Sequence, residues 1–277
     1  MSKPASVATL GSVLQSSDFF KSPKAPMFEI SVVIPAYNEY SRLPSTLEDL
    51  SASIATRSLG SNVRITEVLV IDDGSSDNTL ASIISLSSKL PSLRTHRLEH
   101  NSGKGAAVRV GFRQARAEWI LIADADGSTP WDQLAHLVFG LDSARIAIGS
   151  RGMKESRLER RQNLVREGLG KCFNRLVVWV TGLPFKDTQC GFKLIHRPSI
   201  TPWIDRLRVD RFAWDVEFLM LATLQGIGII EIPVTWRHHE GSKVRPIRDG
   251  FRMVFDSIQI RARFALTSNG SAKLNPP

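Results

Sequence analysis

Asp124 and Asp126 stand two residues apart at the end of the apolar run "WILIADADGSTP", Trp119–Pro130. Carboxylates this close repel, and burying them is costly unless a positive charge lies between them. An Asp-x-Asp pair at a strand end can place both carboxylates on one side of a divalent cation. Hard oxygen ligands suit Mg²⁺ or Mn²⁺, which often take further ligands from a substrate phosphate. The same residues also fit a plain Asx-turn at Asp126-Gly127, and the pair alone leaves both readings open.

Other segments offer related chemistry. "IDDGSSDNT" (Ile71–Thr79) ends an earlier strand. Asp72 and Asp73 can accept hydrogen bonds from a base or ribose, while Asp77 or Asn78 suits a helix cap. "VVIPAYNEYSRLP" (Val32–Pro44) presents Tyr37, Asn38 and Glu39, either as a nucleobase rest or as a helix start that favours an acidic residue. "HNSGKGAAV" (His100–Val108) offers backbone N–H groups and Lys104 to a phosphate. It is neither a Walker A motif nor a complete GxGxxG, because no Ser or Thr follows Lys104 and Val108 fills the last glycine slot. "GSR" (Gly149–Arg151), "EGSKVRP" (Glu240–Pro246) and Arg248 can form an anion pocket or simply a basic surface.

These pieces need elements to position them. Strand-like runs (Phe28–Ala36 stopped by Pro35, "ITEVLVIDD", "LRTHRLEH", "WILIAD", "ARIAIGSR") alternate with helical ones ("RLPSTLEDLSASI", "NTLASIISLSSKL", "GKGAAVRVGFRQA", "WDQLAHLVFGL"). This alternation predicts an α/β fold, with a mostly parallel central sheet covered by helices on both faces. Ligands in such sheets bind beyond the carboxyl ends of the strands, where the acidic and glycine-rich segments fall. Later come a long helical stretch, the turn-strand "DTQCGFKLIHR", the helix "FAWDVEFLMLATLQG", the strand "IGIIEIPVTW" and the basic amphipathic helix "RPIRDGFRMVFDSIQIRARFAL". The amphipathic stretches near Leu169–Leu183 and Phe251–Leu266 suit either a membrane interface or packing on the sheet.

The 277 residues divide into a leader (1–27), one domain (28–266, with halves 28–151 and 152–266) and a tail (267–277). A formal charge of +9 favours anionic partners. Nucleic acid is not expected among them, because the strand ends are acidic and no helix-turn-helix or RNP-like signature is present. Two cysteines, Cys172 and Cys190, form no disulfide framework. No stretch reads as a signal peptide or a membrane span, so the expected location is cytoplasmic, peripheral on the membrane face.

Taken together, "SVVIPAYNE", "VLVIDDGSSDNT", "NSGKGAAVRVGF", "ILIADADGST", "IAIGSR", "DTQCGFKLIHR", "FAWDVEFLMLA" and "IIEIPVTWRHHEGSKVRP" resemble the family 2 glycosyltransferases of the GT-A fold. Within that family the likeness is greatest to the dolichyl-phosphate β-glucosyltransferases. The resemblance implies nucleotide-sugar binding by Pro35, Ala36, Tyr37, Glu39, Asp72, Asp73, Lys104, Asp124, Ala125, Asp126 and Gln189. Asp124 and Asp126 would hold Mg²⁺ or Mn²⁺. Arg151, Lys243 and Arg245 would receive the acceptor phosphate, and Asp126, Arg151, Asp215 and Lys243 would serve catalysis. The implied reaction is inverting transfer of glucose from UDP-glucose to a polyprenyl (dolichyl-type) phosphate. GDP-mannose, another UDP-sugar or a saccharide acceptor are the alternatives. A hydroxyl acceptor would need a carboxylate base, for which Asp187, Asp215 and Glu217 are the candidates.

Overall fold

The computed structural model describes residues 26–159, 164–237 and 246–267. The strands are β1 (Phe28–Ala36), β2 (Val63–Asp72), β3 (Leu93–Arg97), β4 (Trp119–Ile122), β5 (Ile146–Ser150), β6 (Arg157–Leu158), β7 (Lys193–His196), β8 (Ile229–Pro233) and β9 (Thr235–Trp236). The helices are α1 (Leu43–Ala55), α2 (Lys104–Gln114), α3 (Gln133–Gly140), α4 (Leu164–Thr181), the single turn α5 (Arg197–Ile200), α6 (Trp214–Leu224) and α7 (Pro246–Thr267). Seven strands form one sheet in the order β3-β2-β1-β4-β7-β5-β8, and β6 pairs with β9 apart from it. Every pairing in the large sheet is parallel except those of β7, which runs antiparallel to both β4 and β5.

The first three strands step outward from β1 to β3, and β4 then returns to the other side of β1. That reversal makes the gap beyond β1 and β4 a topological switch point, the usual place for a ligand in such a sheet. Side chains alternate across it. Val32, Ile34, Val70 and Leu121 pack with Leu43, Leu47 and Leu134 of α1 and α3. Val33, Ile71, Ile120 and Ile122 pack with Val108, Phe112, Val216 and Leu219 of α2 and α6. Past the end of β4 the chain enters a turn, with Gly127 N donating to the Asp124 carbonyl at 3.4 Å. Ala123 and Ala125 remain in the α1 cluster, which anchors the aspartates that follow each of them.

Two local expectations change. β1 runs through Pro35 to Ala36. Its pairing with β4 ends at Val33↔Ile122, so the missing proline N–H interrupts no ladder on that side. The segment after Asp77 is a short 3₁₀ helix, Ala81–Leu86, in place of a full α-helix. Its serines bond back to the chain, Ser82 Oγ to Thr79 O at 2.7 Å and Ser87 Oγ to Ile84 O at 2.8 Å. Such local bonds compete with the α-helical ladder. Asp77 accepts from Thr79 N at 3.0 Å in an Asx-turn and caps no longer helix. No described helix is long and apolar enough to cross a membrane.

α2 lies close on β1 because residue 111 is glycine; a Cβ there would run into the Val33 side chain. Gly111→Ala is expected to overpack this contact and lower stability by about 1–3 kcal/mol, measured by urea denaturation.

Candidate active site

Loops beyond β1, β2 and β3 are tied together before they meet any ligand. Asn38 takes a left-handed backbone, φ 54°, and its Oδ1 accepts from Ser76 N at 2.8 Å. Glu39 N donates to Thr79 Oγ1 at 2.9 Å. Asp72 is fully buried and accepts from Ser75 N at 2.9 Å, so it braces the turn behind the wall. Asp73 accepts from Ser102 N at 2.7 Å and Gly103 N at 2.8 Å. Those two amides, expected to meet a phosphate, are therefore engaged by a carboxylate. Burial raises the pKa of Asp73, and the two amide bonds only partly offset that. Gly103 sits at φ 106°, and a Cβ there would meet the Asp210 carbonyl. Glycine thus sets the entry of α2, which begins at Lys104.

These loops, the end of β4 and one side of α7 enclose a cleft of about 530 Å³. Its wall includes Pro35, Ala36, Tyr37, Glu39, Asp73, Lys104, Asp124, Ala125 and Asp126, so most of the expected nucleotide-sugar residues converge there. Arg42, Arg211, Arg248, Arg252 and Asp256 also line it. Of these only Arg248 carried a sequence signal. Glu39 faces Arg42, whose Nε donates to Oε2 at 2.7 Å. Arg42 Nη1 is buried without a hydrogen bond, 4.0 Å from Asp126 Oδ2. Burial raises the pKa of Asp256, with Arg252 and Arg211 pulling it back.

The Asp-x-Asp pair serves both of its sequence readings. Asp126 Oδ1 accepts from Ser128 N at 3.0 Å, which is the Asx-turn. Both carboxylates nevertheless line the cleft. Lys104 Nζ donates to Asp124 Oδ1 at 2.5 Å. Burial would raise the Asp124 pKa, but Lys104, with Lys193 and Arg151 behind it, holds the carboxyl below its ordinary value. Lys104 is raised, since Asp124 and Asp215 outweigh its own burial. Among the described residues no group of three or more His, Cys, Asp and Glu could hold a metal. Two aspartates facing a cleft nonetheless fit a Mg²⁺ or Mn²⁺ ion that draws its other ligands from phosphate and water.

Beneath the pair lies a charged layer in which the sequence singled out Asp215, Arg151 and Gln189 but neither Lys193 nor Gly191. Lys193, on β7, is fully buried and donates to Asp215 Oδ1 and to the Cys190 carbonyl, both at 2.5 Å. Gly191 backs Asp124 so closely that a Cβ would strike its carboxylate. Both residues belong to the quoted "DTQCGFK", so the motif was visible but not its use. Arg151 is clamped by Asp187, Nε to Oδ2 at 2.7 Å and Nη2 to Oδ1 at 3.0 Å. Gln189 is close in sequence, and its Nε2 is buried with no partner. Neither Arg151 nor Gln189 lines the cleft, and Asp72 and Asp215 do not either. Glu217 is fully buried and accepts from Arg208 N at 2.9 Å and Val209 N at 2.7 Å, with Arg263 also on it. Lys243 and Arg245 lie outside the described residues.

Such a sheet, with paired aspartates at its switch point above a buried ion pair, defines a nucleotide-sugar transferase of the GT-A type. The family model described as Glycosyl transferase family 2 matches residues 31–200. Dolichyl-phosphate beta-glucosyltransferases of Homo sapiens and Dictyostelium discoideum are each 36% identical to this chain. The alignments cover 87% of the chain and 77% of the human relative, and 86% and 75% for Dictyostelium. The chain belongs to the family 2 glycosyltransferases, in the group of the dolichyl-phosphate beta-glucosyltransferases. Solved structures agree on the fold. Glucosyl-3-phosphoglycerate synthase from Mycobacterium tuberculosis, in complex with Mn²⁺, UDP and glucosyl-3-phosphoglycerate, aligns with a TM-score of 0.60 at 19% identity. It is covered over 81% of its length by 89% of this chain. Mannosyl-3-phosphoglycerate synthase from Rubrobacter xylanophilus aligns at 0.58 and 18%, covering 90% of this chain and 78% of its own.

Two outcomes follow from the buried charges. Lys193→Met leaves Asp215 without its partner and is expected to cost about 3–5 kcal/mol; replacing both, Lys193→Met with Asp215→Leu, should recover most of it in chemical denaturation. Asp187 is desolvated, yet Arg151 and two backbone amides bring its pKa from 3.8 to about 2. Its contribution is therefore present above pH about 3.8 and lost as pH falls through about 2. In Asp187→Asn that component should vanish from an acid-unfolding series.

Proposed function

We infer that this enzyme transfers glucose from UDP-glucose to a polyprenyl phosphate of the dolichyl type, with inversion at the anomeric carbon. The carrying observation is the Asp124/Asp126 pair facing the switch-point cleft with Lys104 beside it. The names of the relatives supply the acceptor and the sugar, and UDP follows as the donor nucleotide.

In this reading Pro35, Tyr37 and Glu39 bound the nucleotide end of the cleft, while Asp124 and Asp126 hold the divalent cation. The cation would neutralise charge on the departing diphosphate as a Lewis acid. Lys104 adds a fixed positive charge at the same place, pre-organised by its bond to Asp124. A phosphate oxygen of the acceptor forms the new bond to the anomeric carbon as the bond to UDP breaks. The products are polyprenyl-phosphate glucose and UDP. A phosphomonoester has its second pKa near about 6, so it needs placing more than deprotonating.

The three carboxylates considered as bases for a hydroxyl acceptor are not placed for that role. Asp187 and Asp215 are ion-paired away from the cleft, and Glu217 holds the backbone of residues 208 and 209. Arg151, fixed by Asp187 off the cleft wall, then acts through its charge on Asp124 and does not touch the acceptor directly. The lipid acceptor makes a membrane surface the place of reaction.

The test is transfer of labelled sugar to short-chain polyprenyl phosphate with and without Mn²⁺ or Mg²⁺. Parallel arms use GDP-mannose as donor and an oligosaccharide as acceptor. Metal-dependent transfer from UDP-glucose is expected; transfer only in another arm refutes the assignment. Asp126→Ala should reduce the rate by roughly a hundredfold or more with an unchanged melting temperature.

A further inference from the structure

Arg42 lines the cleft and carries a buried Nη1 that makes no hydrogen bond. A charged donor left without an acceptor inside a protein is costly, and such an orphan in a cleft wall calls for an explanation. The other edge of the guanidinium is taken by Glu39. Nε donates to Oε2 at 2.7 Å and Nη2 to Oε1 at 2.5 Å. Two parallel, charge-assisted bonds fix the guanidinium plane. The two side chains are only 16% and 9% exposed, so the pair is held inside the wall and not on its rim. Nη1 is the nitrogen this fork leaves over. Across from it stands Asp126 Oδ2, at 4.0 Å.

The backbone sets that distance. Arg42 is the N-cap of α1, and Thr46 in the first turn donates through Oγ1 to the Ala125 carbonyl at 2.9 Å. Trp131 Nε1, further along the same loop, donates to the Thr46 carbonyl at 3.0 Å. Gly127 leaves room for this seam, since a Cβ there would stand 3.0 Å from Thr46 Oγ1. The start of α1 and the 125–131 loop are thus one unit, and Arg42 and Asp126 face each other within it. Four ångströms is too far for a hydrogen bond, but a shift of about 1 Å in the Asp126 carboxylate makes one.

We propose that Arg42 is a positioning residue for Asp126. It closes on Oδ2 as the cleft fills and fixes the direction in which that carboxylate presents its remaining lone pairs. An ionised carboxylate has about four acceptor sites. Ser128 N takes one on Oδ1 at 3.0 Å. With Arg42 on Oδ2 both oxygens are held, and the carboxylate plane no longer turns. Glu39 has a part in this. A lone guanidinium beside Asp126 would repel a divalent cation, whereas Glu39 balances its charge and leaves a donor with no net charge. Groups that bond to a metal-binding carboxylate from behind matter about ten- to hundredfold for cation affinity. This role rests on the reading of Asp124 and Asp126 as cation ligands.

The experiment follows Mn²⁺ binding to the whole chain by electron paramagnetic resonance at saturating UDP. One variant joins Arg42→Met with Glu39→Gln, which removes the pair, leaves no buried charge and keeps the net charge of the wall unchanged. Its melting temperature should stay close to the parent's, while Mn²⁺ binds about ten- to hundredfold more weakly. A second variant, Arg42→Lys, keeps the charge beside Glu39 but offers no second edge to Asp126, and the same loss is expected. UDP affinity measured without metal should not change in either. Parental Mn²⁺ affinity in both variants overturns the role, and so does an equal loss in metal-free UDP binding, which would place the pair on the nucleotide. A parent that binds no Mn²⁺ at saturating UDP refutes the cation reading of the aspartates and this role with it; a parent that binds it no better than the variants refutes the role alone.

Discussion

The contact between Lys104 and Asp124, stacked over the buried pair Lys193–Asp215, is the constraint around which the rest of this molecule is arranged. A carboxylate partly removed from water must find a cation or take up a proton. Here Asp124 finds Lys104 from α2 and feels Lys193 and Arg151 from beneath. These cations hold its pKa below the ordinary value although desolvation pushes it up. Lys193 in turn is tolerable in the interior only because Asp215 and the Cys190 carbonyl receive its ammonium.

That arrangement explains β7. An antiparallel strand between β4 and β5 carries Lys193 into the sheet directly opposite Ile122 of β4 and Ile148 of β5. The same turn into β7 places Gly191 under Asp124, where any side chain would displace the carboxylate. Arg151 and Asp187 extend the charged layer. A parallel strand would need a crossover to arrive there, whereas β7 enters straight from the 187–192 segment that carries these groups.

Much of the site was legible in the chain. The acidic and glycine-rich segments were readable as strand ends because hydrophobic periodicity is local, and so was their convergence, because parallel sheets bind ligands at one edge. Partner choice was not legible. Ser102 and Gly103 offer amides suited to a phosphate, yet Asp73 takes both. Arg151 was read as an anion receiver, yet Asp187 clamps it through two bonds. Arg42 and Arg211 gave no sign at all, because their place in the wall depends on contacts across the cleft. Each of these outcomes depends on residues tens of positions apart, and short-range pattern carries no record of them.

The sequence by itself determined the alternation of strands and helices, the paired aspartates at the end of β4 and the family to which they belong. Those features follow from side-chain periodicity and from motifs a few residues long. Only the tertiary structure decided which charges are neutralised internally and which face the cleft. It also decided that α7 has one face on the cleft and another turned outward. Burial and ion pairing depend on what the folded chain brings within a few ångströms, and strand order, not spacing along the chain, sets that.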